Sequence, residues 1–273
     1  MTQGAGTVET EEFLGKIRGY FDSTLPVVLK ACGPTYQAGL YKGEDAANPA
    51  AANNLFLASR AGVRPGMRIL DAGCGAGGPA VDIAKAYDGV TVRGVTISPA
   101  QAEEARKLVR REGLEGRVDL RAGDYHSLPY ESGSFNIALF LECTSYSPDL
   151  ARVFAEAYRV LAPGGTIYVK EVFLKEGPLG EDERKEIEEF DRMFVLYRTY
   201  PRSEGAKLLE RTGFRDVRSS SLDDVMTTDF FIKAMFEFDR RGVPSLTEFG
   251  KLHFREFKCL PTTYGELRAT KPG

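Results

Sequence analysis

The stretch MRILDAGCGAGG, residues 67–78, decides the fold. A short apolar run, Met67 to Leu70, leads into Asp71 and then into Gly73, Gly75, Gly77 and Gly78, where a helix would begin. A buried parallel strand that turns into a helix through glycines is a nucleotide-loop arrangement. Side chains there would forbid the tight turn or hold the backbone away from a ligand lying against it.

Outward from this loop, apolar strands alternate with helical segments for about a hundred residues, the pattern of a parallel sheet covered by helices. The expected strands are Arg68 to Asp71, Val90 to Thr96, Val118 to Ala122, Phe135 to Leu141, Gly165 to Val172, a strand near Phe214 to Ser219, and Glu266 to Thr270. Helices are expected at Pro79 to Tyr87, at Pro99 to Glu112 with Ser98 as N-cap, and at Leu150 to Leu161, stopping at Pro163-Gly164-Gly165. Residues 1–60 read as an N-terminal helical cap broken by a tyrosine-rich loop, Pro34 to Tyr41, and residues 61–273 as one domain. Residues 182–200 and 224–258 read as helical insertions, candidate lids. The second is rich in phenylalanine: Phe230, Phe231, Phe236, Phe238, Phe249, Phe254 and Phe257. Core packing accounts for most of these rings.

Of the 273 residues, 42% are apolar and 27% charged, which suits a globular chain able to build its own core. The net charge of −3, without a long basic block, gives no electrostatic reason to expect nucleic acid as a partner. Cys32, Cys74, Cys143 and Cys259 lack metal-binding spacing and form no disulfide framework, so a reducing cytoplasm is the expected location. Val8 is followed by Glu9, Thr10, Glu11 and Glu12 where a signal peptide would be apolar, and no run is long enough for a membrane span.

Gly73-x-Gly75-x-x-Gly78 formally satisfies the dinucleotide fingerprint, yet three neighbouring features oppose that ligand. The second strand ends Gly94-Val-Thr-Ile-Ser98, without the acid that holds a dinucleotide ribose. Asp71 would repel a pyrophosphate but attract a cation, and Gly123-Asp124 puts a second acid where the crevice opens. Two acids around a glycine loop suit a ligand carrying ammonium and sulfonium charge.

These motifs, with Leu128-Pro129-Tyr130 to Ser134-Phe135-Asn136 and Leu161-Ala-Pro-Gly-Gly165, resemble the class I S-adenosylmethionine-dependent methyltransferases over about residues 60–175, and Tyr264 to Pro272 is similar to that family's closing strand. The resemblance implies an α/β, doubly wound, Rossmann-like sheet of seven strands, the last antiparallel, with N-terminal helices and helical lid insertions. It implies S-adenosylmethionine as cofactor, with Asp71, Gly73 and Gly75 near its methionyl part, Thr96 and Gln101 near its ribose, Asp124 and Tyr125 near its adenine, and Ile97 and Leu141 as further cofactor contacts. Thr96 departs from the family's usual acid, and Thr with Gln101 is similar to the branch of sterol, prenyl diphosphate and fatty-acyl carbon-modifying enzymes.

Methyl transfer from a sulfonium needs alignment and exclusion of water; an alkene acceptor further needs a carboxylate or aromatic face for the resulting carbocation and a base for its proton. Phe140-Leu-Glu142-Cys-Thr-Ser-Tyr146-Ser-Pro-Asp-Leu150 resembles the corresponding segment of sterol and prenyl diphosphate C-methyltransferases. That makes Glu142 the base or cation stabiliser and Tyr146 a pocket wall. Tyr36 and Tyr41, before Gly43, resemble the loop that covers the substrate. Glu171 is the second candidate acid, against an ordinary ion pair with Lys170 or Lys175. A diphosphate acceptor would require positive charge or a metal such as Mg2+; Arg192, Arg198 and Arg202, near Tyr197 and Tyr200, are the candidates, with Tyr197 and Arg198 as substrate contacts. His126 is expected in a loop and His253 packed in the lid. The preferred reaction is C-methylation of an isoprenoid diphosphate alkene. Sterol-type C-methylation and O- or N-methylation of a small molecule are the alternatives, and a reductase or a silent nucleotide-binding protein the reading from another class. A homo-oligomer is an expectation by analogy only.

Overall fold

A computed structural model describes residues 3–42, 48–227 and 258–273. Helix α1 (Gln3–Cys32) is followed by the short strand β1 (Leu40–Tyr41) and helix α2 (Pro49–Ala61), after which the alternation expected from the glycine loop begins. It runs β2 (Arg68–Ala72), α3 (Gly78–Ala86), β3 (Thr91–Thr96), α4 (Pro99–Arg111), β4 (Val118–Ala122), β5 (Phe135–Leu141), α5 (Leu150–Val160), β6 (Leu161–Leu174). Helices α6 (Glu181–Met193) and α7 (Arg202–Thr212) then precede β7 (Arg215–Ser221), β8 (Met226–Thr227) and β9 (Thr262–Thr270).

Seven strands form one sheet in the order β4-β3-β2-β5-β6-β9-β7, and β9 runs antiparallel to both of its neighbours. Strand alternation sends successive residues to opposite faces. Ile69, Ile137 and Leu139 enter the core under α2, α3 and α4, while Leu70, Ala138 and Phe140 enter the one under α5 and α7. The strand order reverses at β2, so a crevice opens at the carboxyl ends of β2, β3 and β5, where doubly wound sheets bind ligands.

Ser98 caps α4 as expected, accepting the Gln101 amide at 3.0 Å. The largest differences from the sequence reading are at the starts of β6 and β9. Helix α5 ends at Val160 and β6 already starts at Leu161, because Leu161 pairs with Phe135 before the register shifts, so Ala162 to Gly165 become an irregularity inside a long strand. Strand β9 starts at Thr262 rather than Glu266, because Thr262 to Gly265 continue the pairing along Glu171 to Leu174. Of the expected 182–200 insertion, α6 accounts for Glu181–Met193. Most of the 224–258 insertion, with its phenylalanines and His253, lies outside the described residues, as does Gly43.

Candidate active site

The crevice is the mouth of a cavity of about 1350 Å³, counting space open to solvent. One end is walled by the carboxyl edge of the sheet, and every residue expected to hold the cofactor lines it: Asp71, Gly73, Gly75, Thr96, Ile97, Gln101, Asp124, Tyr125 and Leu141.

The glycine loop has the geometry its composition anticipates. Gly73 and Gly75 have φ of +82° and +50°, and a Cβ on Gly73 would stand 2.7 Å from that of Cys143. The Gly73 and Cys74 amides both donate to the Val95 carbonyl at 2.9 Å, which ties the loop to β3. Behind it, Asp71 is buried with Oδ2 lacking any hydrogen-bond partner, and burial raises its pKa from 3.8 to about 7. A buried carboxylate oxygen with nothing to accept is costly unless a donor or cation completes it. At the end of β3 the Thr96 hydroxyl donates to Gln101 Oε1 at 2.6 Å, and both residues line the cavity.

Asp124 takes both the backbone N–H and the ring Nδ1 of His126, at 2.8 and 2.6 Å. Burial would raise its pKa, but these contacts hold it below the ordinary value. His126 lies in the turn after β4, as expected, but it is buried there. It is 5% exposed, and its Nε2 meets Ser147 Oγ at 2.8 Å. The three side chains align like a nucleophile triad, yet Ser147 is equally buried and its Oγ also accepts the Asp149 amide, leaving it a brace between β4 and α5.

The other end of the cavity is apolar and aromatic. Helix α1 turns Leu14, Ile17, Phe21, Leu25 and Val28 toward it, a stripe at spacings of three and four residues, and α6 adds Phe190 with Phe194 just beyond it. Tyr36 and Tyr146 line the wall, with Tyr146 packed 5.1 Å from the Phe21 ring.

Both candidate acids line this cavity, in different electrostatic states. Glu142 has φ of +53°, uncommon outside glycine, which turns its side chain toward the loop between α1 and β1. Its carboxylate accepts the Ala38 amide at 2.6 Å and the Gly39 amide at 3.3 Å, and is ion-paired with Lys170. Lys170 is fully buried, gives a further hydrogen bond to the Gly39 carbonyl at 2.8 Å, and lies 5.4 Å from the centroid of the Tyr264 ring. Glu142 thus fastens the 37–39 segment over the sheet.

Glu171 makes neither of the ion pairs considered from sequence: Lys170 serves Glu142, and Lys175 pairs with Glu183. It is 4% exposed; its Oε2 accepts the Thr144 amide at 2.9 Å, the Thr144 hydroxyl at 2.8 Å and the Ser145 amide at 3.2 Å, and its Oε1 accepts the Val172 amide. Burial, and next the charge of Glu142, raise its pKa to about 7 despite those bonds.

Three expected substrate contacts do not reach the cavity. Tyr41 stacks on Phe56 with centroids 4.1 Å apart, its amide held by Asn53. Tyr197 is 49% exposed and packs on Phe13, and Arg198 is ion-paired with Glu204. Arg192 pairs with Glu189 on the surface. Sequence reasoning missed Lys170 as the partner of Glu142 and the α1 stripe. The stripe was legible as spacing; a lysine inside the apolar run Thr166 to Phe173 was the signal for a buried cation seeking an acid.

Comparison with known proteins agrees with this architecture. Residues 70–169 match the family model of a methyltransferase domain. The chain is 32% identical over 171 residues to the sterol 24-C-methyltransferase erg-4 of Neurospora crassa, covering 62% of this chain and 45% of that one. A Yarrowia lipolytica sterol 24-C-methyltransferase is 30% identical, over 75% and 54% of the two lengths. The chain spans about half the length of the curated relatives it matches. Among solved structures, the [4+2]-cyclase SpnF has a TM-score of 0.78 at 24% identity, covering 94% of this chain and 95% of that one. The Streptomyces coelicolor geranyl diphosphate C-methyltransferase has a TM-score of 0.73 at 19% identity, covering 95% and 97%. At such identities the two structures speak for the fold alone, which hosts more than one chemistry. Glycine loop and strand order are those of the class I S-adenosylmethionine-dependent methyltransferase fold, residues 70–169 belong to a methyltransferase domain, and the chain is similar in sequence to the sterol C-methyltransferases.

Proposed function

We propose that the chain methylates an alkene carbon of an isoprenoid, with the cofactor at the glycine-loop end of the cavity and the acceptor's hydrocarbon between α1 and α6. The observation that carries this reading is Glu171: a buried carboxyl without a cationic partner, facing an apolar, aromatic cavity that continues into the glycine loop.

The cofactor residues fit their ligand. Asp71 Oδ2, buried and unpartnered, suits a cationic ammonium or sulfonium group, and the Gly73 and Gly75 backbone leaves room for close approach. Thr96 and Gln101 present polar groups suited to ribose hydroxyls. When bound, S-adenosylmethionine supplies an electrophilic methyl group. The chain's own residues do the rest. The α1 stripe and Phe190 hold hydrocarbon and exclude water. The Tyr36 and Tyr146 rings and the two carboxylates face the positive charge that an alkene acquires on forming a new C–C bond. Glu171, with a pKa of about 7, is matched to remove a proton from the adjacent carbon and restore the double bond.

The lining favours a sterol-type or other hydrocarbon isoprenoid over a diphosphate. Arg192 and Arg198 are engaged in local pairs, and the described residues that line the cavity include no lysine, arginine or histidine. Mg2+ belongs to this reading only if the acceptor is a diphosphate.

The test is incubation with methyl-labelled S-adenosylmethionine and a panel of a side-chain-unsaturated sterol, geranyl diphosphate and farnesyl diphosphate, read by mass and by position of label. Label on carbon of the sterol supports the reading. Turnover of the diphosphates alone returns the acceptor to the prenyl diphosphate class. Label on oxygen or nitrogen, or an isomerised product of unchanged mass, refutes carbon methylation.

A further inference from the structure

We infer that Thr144 and Tyr200 form a proton exit for Glu171, leading from the cavity to a second hollow at the protein surface. The inference rests on the functional reading above, in which each turnover leaves one proton on Glu171. With cofactor and acceptor in place the cavity is filled, so that proton has no aqueous path back through it, and the next turnover needs the carboxylate again.

The required chain of hydroxyls is present. Thr144 Oγ1 donates to Glu171 Oε2 at 2.8 Å and stands 2.7 Å from Tyr200 Oη. Thr144 and Tyr200 are each 1% exposed. Both also line a separate hollow of about 260 Å³, counting space open to solvent, whose rim includes the half-exposed Tyr197 and Arg198. The hollow is polar on part of its wall and open to solvent, so water enters it. Charge balance of the carboxylate does not need this pair, since the Thr144, Ser145 and Val172 amides already donate to it. Glu142 has no equivalent route, its oxygens being taken by Lys170, Ala38 and Gly39.

The step conserves protons. With the carboxyl proton on Oε2, Glu171 donates to Thr144 Oγ1, Thr144 to Tyr200 Oη, and Tyr200 to a water in the hollow. Concerted transfer breaks and forms one O–H bond at each hydroxyl, leaves Glu171 ionised, and delivers one proton to solvent as hydronium. Afterwards Thr144 donates to Glu171, the orientation the structure holds. Rotation of the two hydroxyls resets the chain.

The test separates the first turnover from those that follow, by rapid quench with labelled cofactor, in wild type, Tyr200→Phe and Thr144→Val. Tyr200→Phe keeps the ring that packs edge-on against Phe173 at 5.4 Å, and Thr144→Val keeps the side-chain shape, so two independent variants report. The expected result is that the ratio of first-turnover to later-turnover rate rises at least about tenfold in both, less than the roughly hundredfold or more of a lost general base because the pair acts only through Glu171. Added imidazole, a small base for the hollow, should restore later turnovers in Tyr200→Phe. Equal slowing of both phases, or no slowing, overturns the relay and assigns the pair to packing. A wild-type protein that makes no methylated product even in the first turnover overturns the functional reading, and the relay with it.

Discussion

Replacing Glu171 by glutamine should make the stability difference from wild type depend on pH, and the size of that dependence follows from the site. The Glu171 carboxyl is raised from 4.5 to about 7, first by burial and then by the neighbouring Glu142 charge. The folded chain therefore holds this proton more tightly than the unfolded chain does. Below about pH 4.5 both states are protonated and folding carries no penalty. Between 4.5 and about 7 the penalty for ionising in the fold grows by about 1.4 kcal/mol per pH unit, and above 7 it is constant at roughly 3 kcal/mol. Glutamine cannot ionise, so the penalty vanishes from the variant. Its amide will face the Val172 or Thr144 N–H with a donor, which costs about 1–3 kcal/mol at every pH. The absolute stability of the variant is thus close to wild type near pH 8 and lower near pH 5. The informative quantity is the difference: variant minus wild type should rise by roughly 3 kcal/mol from pH 4.5 to 8. Urea denaturation at four or five pH values measures it. A difference that stays flat within about 0.5 kcal/mol across that range would refute the buried, cation-free carboxyl on which the chemistry depends. The same variant should lose at least about a hundredfold in kcat, as expected for a general base, while S-adenosylhomocysteine still binds.

Other consequences are equally measurable. Asp71 is raised to about 7 by burial, so affinity for the cationic cofactor should increase with pH up to about 7 as the carboxylate forms; in Asp71→Asn, calorimetry should show weaker binding without that pH dependence. Gly73→Ala forces a Cβ to 2.7 Å from that of Cys143 at φ of +82°, and a thermal melt should show a loss of about 1–3 kcal/mol. Lys170→Met removes the fully buried cation beside Glu142 and should destabilise by about 3 kcal/mol, toward the lower end for a broken buried pair because Glu142 keeps the Ala38 and Gly39 amides. Faster hydrogen exchange at Ala38 and Gly39 should accompany it.

Much of the sheet was legible because strands and helices announce themselves by period. The run Phe135 to Leu141 matches β5 residue for residue, and Ser98 with Pro99 marks the start of α4. The cofactor end was legible for a related reason: its residues sit at strand ends within a few positions of a glycine or a turn, so local sequence sets their place. The acceptor end is assembled from segments far apart in the chain, and there local pattern gives no direction. Tyr36 and Tyr41 read as parts of one loop in the sequence, yet one lines the cavity while the other belongs to the short strand β1 and stacks on Phe56 in α2. The pairing of Glu142 with Lys170 joins adjacent parallel strands, and residue types alone left Lys170 equally available to Glu171.

The division of labour between the two acids links closure of the site to its chemistry. The Ala38 and Gly39 amides reach Glu142 only while the segment after α1 lies over the sheet, and α1 carries the stripe that walls the acceptor end. The cover is held by the charge that helps raise Glu171, so closing the cavity and strengthening its base are coupled through one carboxylate. Glu142→Gln separates these effects. Losing the charge should draw the Glu171 pKa down and narrow the pH window in which wild type and Glu171→Gln diverge, while the loosened cover should raise the Michaelis constant for an apolar acceptor. If Glu142 were instead the proton acceptor, the same substitution would abolish kcat, while the Glu171 titration would shift downward just the same, since the neighbouring charge is lost in either case. Measuring the turnover number and the Michaelis constant separately in this one variant distinguishes a latch from a base, because loss of a latch raises the Michaelis constant whereas loss of the base abolishes kcat.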